Sequence, residues 1–330
     1  MSPMRTTRFG RTGVKVPVIS LGTWGHGGPN TNEGASVGWS GHDDQKAKDA
    51  LLVAYRGGIT HWDTADAYGN GHAEELIGQM WDEVPRDEIF LATKFGYVRG
   101  PSGRPYDPAF MREHLECSLR NMRTDVIDLH YFHHADFGPD DVYLDDALAE
   151  MRRFRDEGKI RFIGLSDWNA SNIMRVVTRI DPDAVQPYRN VIDDDYESSG
   201  LASFVDAHNL GVAFFSPLKH GLLLGKYTTA QHFPTGDFRL NVPEFADQGF
   251  IDRMQAVASQ IRERFPNERD AVLHALTGVL LAGNPTATVL LGQRNAQQAE
   301  AATRLGDALS ADDAAWVRET FLLSGAKDPG

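Results

Sequence analysis

Apolar residues fall along this chain in two alternating patterns. Short continuous apolar runs end on a polar or small residue, and longer amphipathic stretches follow them. Val18–Gly22, Thr60–Asp63, Ile89–Lys94, Val126–His133, Ile160–Ser166, Ala184–Gln186, Val212–Ser216 and Thr288–Leu291 read as strands. Helices are predicted over Asp44–Arg56, with Ala50, Leu51, Ala54 and Tyr55 as its apolar stripe, and over Ala73–Trp81, Pro108–Met122, Asp140–Asp156 and Ala170–Thr178. Uninterrupted apolar strands alternating with helices require a parallel sheet with helices over it. From the second strand end to the seventh the steps are 31, 39, 33, 20 and 30 residues, mostly one strand plus one helix. Eight such ends, with no Pro/Ser-rich linker and no repeat, predict one α/β domain over residues 1–330, a (β/α)8 TIM barrel.

Three segments fall outside this scheme. Thr6–Pro17 reads as a β-hairpin capping the bottom of the barrel. Residues 26–43 and 219–245 are long loops after the first and seventh strands, which places them on the C-terminal rim, where barrel enzymes keep their active sites.

Composition narrows the function. Of 330 residues, 41% are hydrophobic and 24% charged, the balance of a folded globular chain. A net charge of −13 argues against broad nucleic-acid binding. No apolar run approaches the ~20 residues of a membrane span, and Met1–Gly13 lacks the apolar core of a signal peptide. One cysteine, Cys117, excludes an internal disulfide framework and a Cys-rich metal centre. These features predict a cytoplasmic protein acting on a small molecule, with no nucleic-acid or membrane partner and no bound metal; they leave the oligomeric state open.

Four polar residues stand at or just beyond consecutive strand ends: Asp63, Tyr68, Lys94 and His133. A lysine beside an apolar strand is costly to bury unless paired, and Asp63 is its natural partner. A lysine cation beside a phenol favours phenolate, so Lys94 is expected to lower the Tyr68 pKa and fit it for general acid–base work. His133 would orient a carbonyl or share its proton. Taken singly, each has a plainer reading as a turn, snorkelling or core residue; four at successive barrel tops favour chemistry.

The segments GITHWDTADAYGNGHAEELIG (58–78), LATKFG (91–96), DVIDLHYFHHAD (125–136), IGLSDWN (163–169) and FSPLKHGLLLGKY (215–227) together resemble the aldo-keto reductase superfamily, in that family's order. GTWGHGG near the start and FPTGDFR (233–239) look most like its bacterial general-stress branch. The resemblance implies reduction of an aldehyde or ketone by a nicotinamide cofactor. Asp63, Tyr68, Lys94 and His133 match the family's catalytic tetrad, with Tyr68 as proton donor. It further implies that Ser166, Asp167 and Gln186 hold the nicotinamide carboxamide, with Tyr188 as an aromatic near the ring. Ser216, Leu218 and Gly221 would follow the pyrophosphate, Arg239 would close over it, and Gly292, Arg294 and Gln298 would meet the adenosine end. Arg294 suits a 2′-phosphate, so NADP is expected, with NAD as the alternative. Trp24, Phe95, Tyr97 and His134 are expected to line the substrate pocket.

The sequence departs from the family at several positions. Asp167 replaces the usual Asn, Ala301 and Ala302 replace the Glu–Asn pair that reads adenine, and His134 stands where Trp is common. Two rival classes compete with this reading: a non-enzymatic NADP(H)-binding sensor of the same fold, and a metal-dependent barrel hydrolase built on Asp128, His130, His133, His134 and Asp136. Strand alternation opposes the second, since His130 and His134 share a face that His133 does not.

Overall fold

The computed structural model describes residues 4–100, 102–193 and 195–326, so both ends of the predicted 1–330 domain lie outside the described residues. Eight parallel strands close into a barrel: β1 (Ile19–Gly22), β2 (His61–Asp63), β3 (Phe90–Phe95), β4 (Ile127–Phe132), β5 (Ile160–Asp167), β6 (Ala184–Pro187), β7 (Gly211–Phe214) and β8 (Ala287–Gly292). They are paired in sequence order, and β8 returns to β1 through Val289↔Ile19 to Gly292↔Gly22. Each strand ends within two residues of its expected position.

Helices α1 (Asp44–Arg56), α2 (His72–Gly78), α3 (Pro108–Asn121), α4 (Leu144–Asp156) and α5 (Ala170–Ile180) follow the first five strands. Their starts are set by polar caps: Asp43 accepts from the Lys46 amide, Asp107 precedes Pro108, and Asn169 accepts from the Ser171 amide, each satisfying an orphan N–H. Further round lie α6 (Leu201–His208), α7 (Gln248–Arg264), α8 (Ala271–Leu281), α9 (Ala296–Ala302) and α10 (Ala311–Leu323).

Alternation along the strands divides the core. Phe90, Ala92, Leu129, Tyr131, Ala184, Ala213 and Leu290 fill the barrel, while Leu91, Phe95, Ile163 and Leu165 face the helices. The hairpin Thr6–Arg8/Lys15–Pro17 seats Phe9 against His61 and Phe90 and donates the Arg11 amide to Asn209 O, closing the N-terminal end.

The opposite rim carries the two long loops, and they are joined to each other. Gly38 and Asn30 amides donate to Gly236 O, Phe238 N donates to Gly38 O, and the Ser40 amide and hydroxyl both donate to Asp237 Oδ2 at 2.9 and 2.6 Å. Beneath them the Tyr68 turn crosses the first loop at two glycines. A Cβ on Gly69 (φ +63°) would meet Gly27 O at 2.2 Å, so only glycine permits that approach.

Candidate active site

Asp63 ends β2, Lys94 lies on β3 pointing inward, His133 follows β4, and Tyr68 sits in the turn between β2 and α2. All four converge. Lys94 Nζ donates to Asp63 Oδ1 at 2.5 Å, to Thr64 O at 2.7 Å and to Tyr68 OH at 3.4 Å. Gln186 Nε2 holds the other Asp63 oxygen at 2.8 Å, and Ser166 Oγ donates to Gln186 O at 2.9 Å. The tyrosine and His133 rings meet edge-on at 6.0 Å.

Electrostatics sharpen these roles. Burial pulls the Lys94 pKa down, but Asp63 and Tyr68 outweigh it and hold the ammonium charged. Tyr68 departs from expectation: burial raises its pKa by more than Lys94 lowers it, and the net direction is upward. The lysine charge is spent mainly on Asp63 and Thr64, closer than the phenol. Tyr68 is therefore a neutral O–H, an acid rather than a phenolate. Burial, then Lys94, then His134 push His133 well below 6.5, leaving a neutral imidazole. Its Nδ1 is buried without a partner.

A cavity opens above this cluster, lined by Trp24, Tyr97, Trp168, Phe215 and Phe238, with Ser166, Asp167 and Gln186 also in its wall. Trp24 stacks over Tyr68 at 6.1 Å, and Trp168 over Phe238 at 5.5 Å. Trp24 and Tyr97 stand where expected. Phe95 and His134 do not: Phe95 points out of the barrel and stacks on His130 at 4.9 Å, while His134 pairs with Gly96 O at 2.8 Å and packs on Tyr106. Each is one residue past an inward-facing side chain, and alternation turns it to the helix layer. Trp168 and Phe238 were missed because they lie past a strand end and inside a loop, where no periodicity marks direction. The same alternation scatters the supposed metal cluster, since Asp128 is taken by Arg86, Arg161 and the Leu91 amide.

A groove runs from the cavity along the ends of β7 and β8 to α9. Ser216, Leu218, Gly221, Arg239, Gly292, Arg294, Gln298, Ala301 and Ala302 all line it, joined by Trp39, His220 and Gln293. Ser216 (φ +60°) and Gly221 (φ +86°) shape the turn after β7, and a Cβ on Gly292 would meet nothing within 4 Å, so backbone there is open to a ligand. Arg239 is clamped by Asp237 at 2.6 and 2.9 Å and stacked on Trp39 and Phe233. Arg294 donates to Ser40 O and Gly41 O, both at 2.7 Å, and its buried Nε has no partner. Among the described residues no carboxylate pairs with it; burial, then Arg239, lower its pKa. A half-buried cation without a counter-ion fits the phosphates of a nicotinamide dinucleotide. Tyr188 packs on Trp168 and Phe215 at 5.3 and 5.6 Å, outside both the cavity and groove linings. Asp167 turns its carboxylate aside: Oδ2 accepts from the Ala135 amide at 2.8 Å, Oδ1 from the Asn169 amide at 2.9 Å and from Asn172 Nδ2 at 3.1 Å.

A closed parallel barrel with a buried Lys–Asp pair under a phenol, beside a phosphate-compatible groove, defines a barrel oxidoreductase. The chain belongs to the aldo/keto reductase family, whose profile matches residues 18–319, and its relatives include nicotinamide-dependent carbonyl reductases. It is 30% identical to aldo-keto reductase YhdN of Bacillus subtilis over 99% of this chain and 96% of that protein. It is 32% identical to aldo-keto reductase yakc [NADP(+)] of Schizosaccharomyces pombe over 66% of this chain and 65%, slightly under two thirds, of that protein. With the NADH-specific methylglyoxal reductase of Escherichia coli it shares 29% identity over 75% of this chain and 77% of that protein. Among solved structures, the glycerol dehydrogenase AKR11B4 of Gluconobacter oxydans superimposes with a TM-score of 0.79 at 26% identity, covering 98% of each chain. No helix among the described residues is long and apolar enough to cross a membrane.

Proposed function

We propose that this chain reduces neutral, largely apolar aldehydes or ketones, with Tyr68 as proton donor and NADPH as the preferred reductant. The observation that carries this reading is the hydrogen-bonded Asp63–Lys94–Tyr68 chain at the base of an aromatic cavity. When bound in the groove, the nicotinamide supplies hydride to the carbonyl carbon. The neutral Tyr68 O–H then gives its proton to the carbonyl oxygen, and the Lys94 charge stabilises the phenolate left behind. His133 donates to the same oxygen and orients it. Asp63 keeps Lys94 charged and fixed, and Gln186 holds Asp63.

The walls support the substrate class. Among the described residues Lys94 is the one cation lining the cavity, and Asp63 already neutralises it. A phosphate or carboxylate on the substrate meets no spare positive charge there, whereas aromatic or medium-length carbonyls meet the rings of Trp24, Tyr97, Trp168, Phe215 and Phe238. Arg294 supports NADPH, since its unpaired charge sits at the α9 end of the groove, suited to a 2′-phosphate. The relatives' names divide between NADP(+) and NADH, so the preference is read from Arg294 itself. This reading places the enzyme in the cytoplasm, where reduced nicotinamide is maintained.

The test is oxidation of NADPH and NADH by purified protein against neutral aromatic, aliphatic, phosphorylated and dicarbonyl aldehydes. Tyr68→Phe is expected to lower kcat by about 100-fold or more with cofactor affinity unchanged by fluorescence titration. Full activity in that variant would remove the assignment. Arg294→Met is expected to raise the NADPH KM about 10-fold and leave the NADH KM nearly constant; equal effects on both would break the 2′-phosphate argument. Tight cofactor binding without turnover of any carbonyl would favour the sensor reading.

A further inference from the structure

Away from the active site, three metal-ligating side chains from three separate elements meet at the surface. His42 ends the first rim loop, Asp44 opens α1, and His72 opens α2. One donor atom from each lies within 4.8 Å of the other two. His72 Nε2 is 2.9 Å from Asp44 Oδ1, and the two imidazole rings stand perpendicular with centroids 6.3 Å apart. All three remain at least partly open to solvent.

We propose that His42, Asp44 and His72 bind a zinc-class divalent transition-metal ion, fastening the rim loop to α1 and α2. Zinc bonds of ~2.0–2.2 Å to nitrogen and oxygen put tetrahedral donors about 3.3 Å apart; the His72–Asp44 pair stands at 2.9 Å, and the His42 donor lies within 4.8 Å of both. Two imidazoles and a carboxylate suit zinc, nickel or copper, while magnesium and calcium require oxygen donors. Two features support a built site. Gly28 (φ +77°) leaves the space His42 occupies, for a Cβ there would come within 3.0 Å of the ring. Glu75 Oε2 lies 3.8 Å from His72 Nδ1, where a small rotation makes it the outer acceptor that orients a metal-bound imidazole.

The N-termini of α1 and α2 oppose a cation, and Lys46 stands nearby, 3.4 Å from Asp43. The three carboxylates of Asp43, Asp44 and Glu75 carry more charge than one ammonium and two helix ends of about half a charge each. The position gives the site a consequence, because His42 adjoins Gly41, whose carbonyl receives Arg294. A bound ion therefore braces the loop joint that anchors the groove's unpaired arginine. The proposal is independent of the catalytic roles assigned above.

The experiment is calorimetric titration of the full, tag-free chain with Zn2+ alone in a non-chelating buffer at neutral pH, with thermal unfolding in parallel. One equivalent is expected to bind and raise Tm. His42→Ala and His72→Ala are each expected to weaken binding about 10-fold or more and to abolish the Tm rise. Asp44→Asn should weaken it less, and His208→Ala, at a distant exposed histidine, should leave it unchanged. Absence of one-equivalent binding below about 100 μM, or equal binding by wild type and both histidine variants, would overturn the proposal. Each variant's metal-free Tm reports whether it is folded.

Discussion

Asp167 shows how one side chain can keep its place in a site while changing its work. Where the family commonly has an amide, this chain has a carboxylate whose two oxygens accept three N–H groups, from Ala135, Asn169 and Asn172. An amide offers one acceptor oxygen, so its NH2 would face a buried backbone donor on one side or the other. Asp167→Asn is therefore expected to destabilise the fold by about 1–3 kcal/mol, the cost of a buried donor left unmade, with a smaller effect on cofactor binding. Denaturant unfolding checks the first part, and an unchanged midpoint would mean the carboxylate is dispensable. The identity of Asp167 was plain in the sequence, but its partners were not, because they come from the turn after β4 and the first turn of α5.

At the scale of elements, the strands and the first five helices were legible because their signals are local. Apolar runs end where carbonyls meet the rim, and Asp43, Asp107 and Asn169 announce helix starts. Helices α6 and α10 were not, since α6 is a short segment and α10 ends the barrel's decoration rather than a strand–helix unit. The rim loops are legible from length and, for residues 26–43, from a Gly-, Asn- and Ser-rich composition; their mutual stitching depends on contacts such as Ser40 to Asp237, 197 residues apart. Asp237 is the centre of that stitching. Burial pushes its carboxyl up, but Arg239 and Ser40 outweigh this and hold it at about 2. Asp237→Ala removes the acceptor for Ser40 and the clamp on Arg239 together. The expected result is faster release of nicotinamide cofactor, by about 10-fold, as the loop contacts that must break are lost. Stopped-flow displacement measures it, and an unchanged off-rate would show that the joined loops do not gate the groove.

Over the whole molecule, the barrel buries an unusual set of neutral imidazoles, and these govern its response to acid. Burial holds His26 at about 4 and His61 and His130 at about 3, and it holds His133 well below 6.5 together with Lys94 and His134. Such groups are neutral when folded yet protonated when unfolded below about pH 6.5, so the unfolded chain binds more protons and stability falls as pH falls. Glu74 acts in the opposite sense. Burial first, and Asp66 second, raise it to about 7, so its protonated folded form favours stability at low pH and loses that contribution as pH rises through 7. Burial lowers His134 as well, while the raised Asp63 carboxyl and the raised His114 imidazole act with Glu74; the lowered imidazoles outnumber these groups, so unfolding takes up protons as pH falls from 7 to 5. Salt-bridged carboxylates such as Glu157, at about 2, reinforce the trend only nearer their unfolded pKa of 4.5. Denaturant midpoints should therefore drop between pH 7 and 5. His130→Phe should make the profile shallower by about one proton, or ~1.4 kcal/mol per unit, because His130 stacks on Phe95 and neither ring nitrogen has a partner. A profile unaltered by that substitution would mean that His130 takes up its proton in the folded barrel, and that burial does not set the acid limit.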